Sequence, residues 1–190
     1  MIFMLQAGGL GRLASGGSIW NPLDKDADIS LSGGNLVASI TSANGGIRGT
    51  QGRSSGHHYF EITVGGAGSA IHMVGLGNAS ATLAAYPGFD ANGWSYFAAD
   101  GRKYTNATDA AYGASYAAGD VIGVAYDATA GTITFYKNGA SQGTAFTSIS
   151  GTLYPMWGPG GSTAGTRTAT LNTGATAFAY SMPAGASAWT

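Results

Sequence analysis

The amino-acid sequence predicts an all-β protein, and three observations support this fold class. Residues 118–146 contain two hairpin patterns in tandem. From Trp20 onward, short runs rich in β-branched and aromatic residues alternate with Gly- and Asn-rich turns, and no helical period persists. Glycine accounts for 33 of 190 residues and charged residues for 9%, yet 44% of the sequence is hydrophobic. That apolar content favours a packed β protein over a disordered one.

The strongest strand signal is residues 121–126, which are apolar on both faces, as in a strand buried between two layers. Residues 127–131 supply a short loop of turn-forming residues. Residues 132–135 then alternate polar and apolar side chains, which is typical of a half-buried strand. The pair Asn138-Gly139 favours the positive φ angles of a two-residue hairpin turn. We therefore predict two consecutive β-hairpins here.

Further strands follow from the same signals. The predicted strands are residues 29–31, 36–40, 59–64, 71–76, 94–98, 121–126, 132–136, 143–146, 153–157 and 166–171. Within residues 59–64, the alternation predicts that Phe60, Ile62 and Val64 point inward and that Glu61 points outward.

Composition narrows the classes of function. A protein of 190 residues is most simply one domain, and it has no cysteine for disulfides. Eight Lys and Arg residues are dispersed along the sequence, with only Arg102 and Lys103 adjacent, and the net charge is −1, so no basic stripe for nucleic acid is present. No stretch approaches the roughly 18 apolar residues of a membrane span. The apolar start lacks a preceding cation and is too brief for a secretory signal, so we expect none.

Residues 1–17 differ from the rest of the sequence, since an apolar head precedes a glycine-rich run. We predict that they form an N-terminal arm and that residues 18–190 form the domain. The arm either packs on its own domain or docks onto a neighbouring subunit of a homo- or hetero-oligomer. The side chains expected to mediate such docking are Ile2, Phe3, Met4, Leu5, Leu10 and Leu13.

Several motifs occur in an order that resembles the SPRY domain, a β-sandwich module. The motifs are Trp20-Asn21-Pro22, Gly46-Ile47-Arg48-Gly49, Ser55-Gly56-His57-His58-Tyr59-Phe60-Glu61-Ile62, Val74-Gly75-Leu76-Gly77, Gly93-Trp94-Ser95-Tyr96, Asp100-Gly101-Arg102-Lys103-Tyr104-Thr105-Asn106, Gly119-Asp120-Val121-Ile122-Gly123-Val124, Leu153-Tyr154-Pro155 and Phe178-Ala179-Tyr180-Ser181-Met182-Pro183-Ala184-Gly185. The resemblance implies two antiparallel sheets packed face to face, of the concanavalin A-like jelly-roll type. It also implies binding without catalysis, through loops at one edge of the sandwich.

Carried onto this sequence, that edge comprises residues 40–44, the insert 79–90 and the stretch after Pro155. Large aromatic side chains in such loops are the usual anchors of a recognition surface. The candidate contact residues are Ile40, Thr41, Asn44, Tyr86, Phe89 and Trp157. The alternative for Tyr86 and Phe89 is that they cap the core beneath a long loop.

Sparse charge, Ala- and Gly-rich turns and the short arm also resemble SPRY-type proteins encoded by bacteriophages and their bacterial hosts. This resemblance implies a virion protein of the tail tip, fibre or capsid surface, located in the virion. Its partners would be other virion subunits through residues 1–17, and a host-surface glycan or neighbouring virion protein through the loops. Two alternatives are an intracellular peptide-binding adaptor and a carbohydrate-active hydrolase.

No motif supplies catalytic or metal-binding chemistry, so we expect neither an enzyme nor a cofactor. A glycosidase needs two carboxylates, and the one glutamate, Glu61, lies in a motif that the family uses structurally. The segment Asp24-Lys25-Asp26-Ala27-Asp28 resembles the opening of a calcium loop, but Ile29 replaces its glycine and Asn35 its final glutamate. A solvated turn is the preferred interpretation. His57 and His58 are adjacent in a predicted strand, so they face opposite ways and cannot readily share a metal.

Overall fold

A computed structural model describes residues 16–66, 71–161 and 165–190. Within these ranges the protein forms β-strands and no helix. The strands are β1 (Trp20–Lys25), β2 (Ser30–Ser32), β3 (Val37–Ile40), β4 (Ile47–Gly49), β5 (His57–Gly66), β6 (His72–Gly77), β7 (Gly93–Phe97), β8 (Lys103–Thr105), β9 (Thr108–Ala110), β10 (Val121–Asp127), β11 (Thr132–Lys137), β12 (Ala140–Phe146), β13 (Tyr154–Pro159), β14 (Arg167–Asn172) and β15 (Ser187–Ala188).

The strands form two sheets that pack face to face. One sheet has seven strands in the order β1-β4-β13-β6-β7-β8-β9. The other has eight strands, with the order β12-β11-β10-β5-β14-β3-β2 and β15 added in parallel to β5. The other strand pairs in both sheets are antiparallel. The predicted all-β, two-sheet antiparallel sandwich is therefore confirmed.

Alternate side chains of the central strands meet in one core between the sheets. Phe60 and Ile62 of β5 lie opposite Val124 and Ile122 of β10, as the antiparallel register requires. All four are completely buried, together with Trp157 of the facing sheet. The inward direction predicted for Phe60, Ile62 and Val64 is thus confirmed. Burying each such side chain contributes about 1.5 to 3 kcal/mol to folding.

The two predicted hairpins are present. Asn138 and Gly139 have φ angles of 48° and 79°, which identify the tight turn between β11 and β12. Asp127 organises the preceding turn, because its carboxylate accepts from the backbone N–H groups of Thr129 and Ala130 at 2.9 Å. Strand β12 begins at Ala140, earlier than predicted, because the irregular pairing with β11 lets it include Gly143 at a φ of +84°.

Sequence patterns missed five short or irregular strands: β1, β4, β8, β9 and β15. Strand β1 contains Pro22 and shifts register between Trp20 and Lys25, so it shows no alternation. Strands β8 and β9 have three residues each and are joined by Asn106 and Ala107, which have positive φ angles although neither is glycine. Strands this short are stabilised by pairing with their neighbours, and they are too short to show an alternating sequence pattern.

Contacts with the domain begin before the predicted boundary at residue 18. The Gly16 carbonyl accepts from the Gln51 side chain at 3.1 Å. Gly17 lies so close to Thr173 that a Cβ atom there would be 2.5 Å from its Oγ1. Both glycines therefore contact the sandwich. The six predicted docking residues of the arm, from Ile2 to Leu13, lie outside the described residues, and their role stays a prediction.

The segment after β14 crosses the outer face of the eight-stranded sheet. The backbone N–H groups of Ala179 and Tyr180 donate to the Glu61 carboxylate at 2.7 and 3.0 Å, and the Tyr59 hydroxyl donates to it at 3.1 Å. Glu61 is on the outer face, as predicted, but only 2% of it is exposed. A segment distant in sequence covers this carboxylate, which the alternation within the strand does not indicate.

Candidate functional site

Two of the stretches predicted to form a binding edge, residues 79–90 and the stretch after Pro155, contact Gly45 and Gly46, which directly follow the third predicted stretch, residues 40–44. The Gly46 N–H donates to the Leu83 carbonyl at 2.8 Å, which joins the loop after β3 to the loop after β6. Gly158 of β13 lies against both, since a Cβ atom there would be 2.1 Å from the Gly45 carbonyl oxygen and 3.2 Å from Pro87. We call residues 41–46, 78–92 and 158–161 the loop edge.

The loop of residues 78–92 is folded back over the outer face of the seven-stranded sheet. The Ser95 hydroxyl donates to the Pro87 carbonyl at 2.5 Å, and the Ala107 N–H donates to the Gly88 carbonyl at 3.0 Å. The Asp90 carboxylate accepts from the N–H groups of Thr82 and Asn92 at 2.8 Å. These hydrogen bonds hold the loop near both ends and in its middle, so the loop has a defined shape.

Arg48 fastens the beginning of this loop to the sheet. Its guanidinium donates to the Asp24 carboxylate at 2.7 and 2.8 Å, and to the carbonyl oxygens of Ala81 and Asn78 at 2.6 and 3.3 Å. Arg48 is buried, whereas Asp24 is partly exposed. A guanidinium suits this position because its planar fork can bind a carboxylate with two bonds and still reach nearby carbonyls.

Four aromatic side chains form a partly exposed cluster beside the loop edge, which we call the aromatic patch: Tyr86, Phe89, Phe97 and Tyr104. Tyr86 makes edge contacts with Phe89 and Tyr104 at ring-centroid distances of 5.6 and 6.0 Å. Phe97 contacts Tyr104 at 5.6 Å. Phe89 is 49% exposed, and the other three are half-buried. Such contacts fix the rings while leaving apolar surface open to a partner.

The structure separates the six predicted contact residues into three groups. Thr41, Asn44 and Phe89 are exposed, and Tyr86 is half-buried. Ile40 and Trp157 are buried on strands β3 and β13, and both belong to the core. The expectation that Ile40 and Trp157 offer their side chains to a partner was therefore wrong. Alternation places Trp157 inward, because it lies opposite Ile47 and Val74 of the neighbouring strands.

Sequence reasoning missed Phe97 and Tyr104 as possible contact residues. Tyr104 lies on β8, which no pattern predicted, and pairs with Ser95 of β7. The segment Asp100–Asn106 is part of the resemblance to the SPRY domain, but nothing in its sequence indicates which face of the sheet Tyr104 occupies. Only the pairing of β7 with β8 brings Tyr104 beside Phe97.

Near the loop edge, His72 is completely buried in the core. Its Nδ1 atom accepts a hydrogen bond from the Trp157 indole N–H at 3.3 Å, which assigns the proton of the neutral ring to Nε2. Burial lowers the pKa of His72 to about 4, and the positive charge of Arg167 adds to this effect. Protonation at Nδ1 would place a hydrogen where Trp157 donates, so the fold requires the neutral ring.

This arrangement predicts a loss of stability in mild acid. An unfolded His72 gains its proton near pH 6.5, whereas the folded one resists protonation until about pH 4, so lowering the pH favours unfolding. Between neutral pH and about pH 5 we expect the free energy of unfolding to fall by about 2 kcal/mol from this residue. Urea unfolding at a series of pH values measures the change.

The matched control is His72→Gln, which keeps an acceptor for the Trp157 N–H but does not titrate. The variant should show a flatter dependence of stability on pH above about pH 5, where few carboxylates titrate. An identical pH dependence in the two proteins would show that His72 is not responsible.

The described residues offer little catalytic equipment. No group of three or more His, Cys, Asp or Glu side chains there could hold a metal ion. The Glu61 carboxylate is bound by three donors and buried under the C-terminal segment, so it cannot reach a sugar substrate. Within the described ranges, no helix has the length and hydropathy of a membrane span.

Comparison with known proteins identifies the fold family. Residues 57–174 match the family described as the SPRY domain. Ran-binding protein 9 from Xenopus tropicalis is 32% identical over 164 residues, covering 77% of this chain and 30% of that protein. Ran-binding protein 10 from Danio rerio is 31% identical over 149 residues, covering 73% of this chain and 25% of that protein. The chain thus spans less than a third of the length of these relatives.

Solved structures agree with the fold. The SPRY domain of human HERC1 superposes with a TM-score of 0.68 at 21% identity, covering 80% of this chain and 96% of that domain. The TRIM65 PSpry domain gives a TM-score of 0.66 at 18% identity, covering 82% of this chain and 91% of that domain. The phage or bacterial type expected from composition finds no support in these comparisons, because the similar Ran-binding proteins come from animals.

Proposed function

Because this chain belongs to the SPRY domain family, we propose that it is a non-catalytic module that binds a peptide segment of a partner protein through the loop edge and the aromatic patch. The observation that carries this proposal is the half-exposed Phe89, held by Tyr86 on a loop that is itself hydrogen-bonded to the sheet. This proposal takes up the intracellular peptide-binding adaptor rather than the virion protein, and it assigns binding to the loop edge and the aromatic patch.

The surface is suited to binding because it is preformed. Exposed aromatic rings on mobile loops lose entropy when they bind, whereas rings already in place lose little. Ser95, Asp90 and Arg48 hold the loop of residues 78–92 before any partner arrives. Covering the exposed half of Phe89 contributes about 1 to 1.5 kcal/mol to binding by apolar burial alone.

The chemistry of the surface favours an uncharged peptide. None of the four patch residues carries a charge, and the nearby Asp90 carboxylate is already engaged by backbone N–H groups. Arg102 forms ion pairs with Asp100 and Asp109, so the positive charge of this exposed side chain is neutralised by neighbouring carboxylates. Thr41 and Asn44 add a hydroxyl and an amide that can bond the backbone of an extended segment. Apolar, aromatic or proline-containing peptides fit this set of groups.

The test is selection of binders from a random-peptide library against the folded protein, followed by calorimetric titration of a selected peptide. We expect Phe89→Ala and Tyr104→Ala to weaken its binding by roughly tenfold or more, which is typical of central aromatic contacts. The peptides should carry apolar or aromatic residues and few charges.

The matched control is Met182→Ala. Met182 is 39% exposed, and it lies in the C-terminal segment, away from the patch in sequence and sheet. This variant should bind the peptide as the wild type does. If selected peptides bind the two patch variants as tightly as the wild type, the binding surface lies elsewhere on the domain.

The relatives favour this proposal over the virion role. Ran-binding proteins of animals align with about three quarters of this chain. No comparison supports a tail, fibre or capsid component. A carbohydrate-active hydrolase is disfavoured by the coverage of Glu61. Recognition of a protein segment requires only the surface already described.

A further inference from the structure

Three Asn-Gly pairs occur in this sequence, at Asn44-Gly45, Asn92-Gly93 and Asn138-Gly139. An asparagine followed by glycine is prone to deamidation, because glycine has no side chain to hinder attack by its own nitrogen on the neighbouring amide. The folded structure holds these three amides very differently. The difference decides which of them can react.

Asn138 and Asn92 are restrained. The Asn138 side chain accepts from the Val121 N–H at 2.8 Å and donates to the Asp120 carboxylate at 2.7 Å. The Asn92 side chain accepts from Asn78 at 3.1 Å, and the Gly93 nitrogen that would attack it donates to the Asp90 carbonyl at 3.4 Å. In both pairs the reacting groups must first break hydrogen bonds.

Asn44 is not restrained in this way. Its side chain is exposed, and among the residues that the structure describes none forms a hydrogen bond with its amide. The Gly45 nitrogen also donates to no acceptor within that part of the protein. Gly45 has a φ of +136°, a conformation that glycine adopts readily. Gly45 itself is buried, but among the described residues neither the Asn44 amide nor the attacking nitrogen has a hydrogen bond to break before they react.

We propose that Asn44-Gly45 is a site of spontaneous deamidation, which converts a neutral side chain at the loop edge into a carboxylate. The Gly45 nitrogen attacks the amide carbon of the Asn44 side chain and forms a new C–N bond. The original bond between that carbon and the amide nitrogen breaks, and this nitrogen leaves as ammonia with the proton lost from Gly45. Water then opens the five-membered succinimide at either carbonyl, giving an aspartyl or an isoaspartyl linkage.

Either product alters the part of the loop edge where the loop after β3 is bonded to the loop after β6. A new carboxylate would add negative charge to a region that already contains two acidic residues. The Cβ of Asp26 is 3.1 Å from the position of a Cβ on Gly45, the next residue, and Asp28 accepts from Ser42, two residues before Asn44. An isoaspartyl linkage also adds a methylene to the backbone just before Gly46. Gly46 is fixed on both sides, by the Leu83 carbonyl and the Asp26 N–H at 2.8 Å each. The longer backbone would displace that junction.

The test incubates the full 190-residue protein at mildly alkaline pH, both native and unfolded in guanidinium chloride. Peptide mass spectrometry quantifies aspartate and isoaspartate at each of the three sites. In the unfolded protein all three precede glycine and should react at similar rates. In the native protein Asn44 should react close to its unfolded rate, whereas Asn92 and Asn138 should react at least about tenfold more slowly than when unfolded.

The proposal is overturned if folding slows Asn44 as much as it slows Asn138, or if another site reacts faster than Asn44 in the native protein. The variant Asn44→Gln should lose the native signal at this site and keep the slow signals at the other two.

A further consequence, lower affinity of the isoaspartyl form for a selected peptide, rests on the proposed function. Asn44→Asp isolates the added charge from the lengthened backbone. The mass measurement stands whether or not a peptide binds.

Discussion

Replacing Trp189 by alanine is expected to lower the free energy of unfolding by about 3 to 5 kcal/mol, the usual cost of removing a large buried aromatic side chain. Trp189 is completely buried although it is the penultimate residue of the sequence. Its ring packs edge-on against Phe60 at 5.2 Å and closes the core beside Tyr126. The indole N–H donates to the Gln51 carbonyl at 2.8 Å, so the ring joins three distant parts of the protein.

Urea unfolding measures this effect as a shift of the midpoint at unchanged slope. Two variants calibrate it. Trp189→Phe keeps most of the apolar volume but leaves the Gln51 carbonyl without its donor, so it should cost less than Trp189→Ala. Met182→Ala changes an exposed residue of the same C-terminal segment and should stay within about 0.5 kcal/mol of the wild type. A Trp189→Ala loss as small as that of Met182→Ala would show that the ring does not close the core.

Trp189 also illustrates which parts of the fold the sequence can predict. The hairpin at Asn138-Gly139 was predictable, because its turn and the alternation beside it are local chemistry. The burial of Trp189 was not, because it depends on β15 pairing with a segment of β5 well over a hundred residues earlier. The same holds for Glu61, whose outward direction follows from alternation but whose burial depends on the C-terminal segment.

The candidate site divides in the same way. The family resemblance predicted three stretches at one edge, and two of them contact Gly45 and Gly46, just after the third. It did not distinguish side chains at that edge that face the core from those that face solvent, so Ile40 and Trp157 were wrongly included. Phe97 and Tyr104 are not predictable as contact residues from the sequence, because they become neighbours only when β8 pairs with β7. Which face a residue occupies requires the register of neighbouring strands.

Replacing Arg48 by alanine is expected to lower the free energy of unfolding by about 3 kcal/mol and to release the loop of residues 78–92. The variant removes the partner of the Asp24 carboxylate and leaves the carbonyls of Ala81 and Asn78 without this donor. Breaking a buried ion pair on one side typically costs about 3 to 5 kcal/mol, and the partial exposure of Asp24 places this case at the lower end.

Two measurements separate loss of the loop from general destabilisation. Urea unfolding gives the change in stability, and limited digestion with chymotrypsin reports whether the peptide bond after Phe89 becomes accessible under native conditions; the bond after Tyr86 precedes Pro87 and is not cleaved by this protease. Cleavage in the loop should accelerate more than global unfolding explains, because Arg48 bonds the carbonyls at the loop's start directly. Arg48→Lys keeps the charge but cannot form the same set of bonds, so it should be intermediate.

Arg102→Ala is the matched control for charge. Arg102 is also paired with carboxylates, Asp100 and Asp109, but all three side chains are exposed, so water replaces the lost contacts and little should change. If Arg48→Ala left loop cleavage and peptide affinity at the level of Arg102→Ala, the loop would hold its shape without Arg48. The expected contrast arises because Arg48 is buried and binds backbone carbonyls of the loop, whereas Arg102 bonds side chains that water reaches.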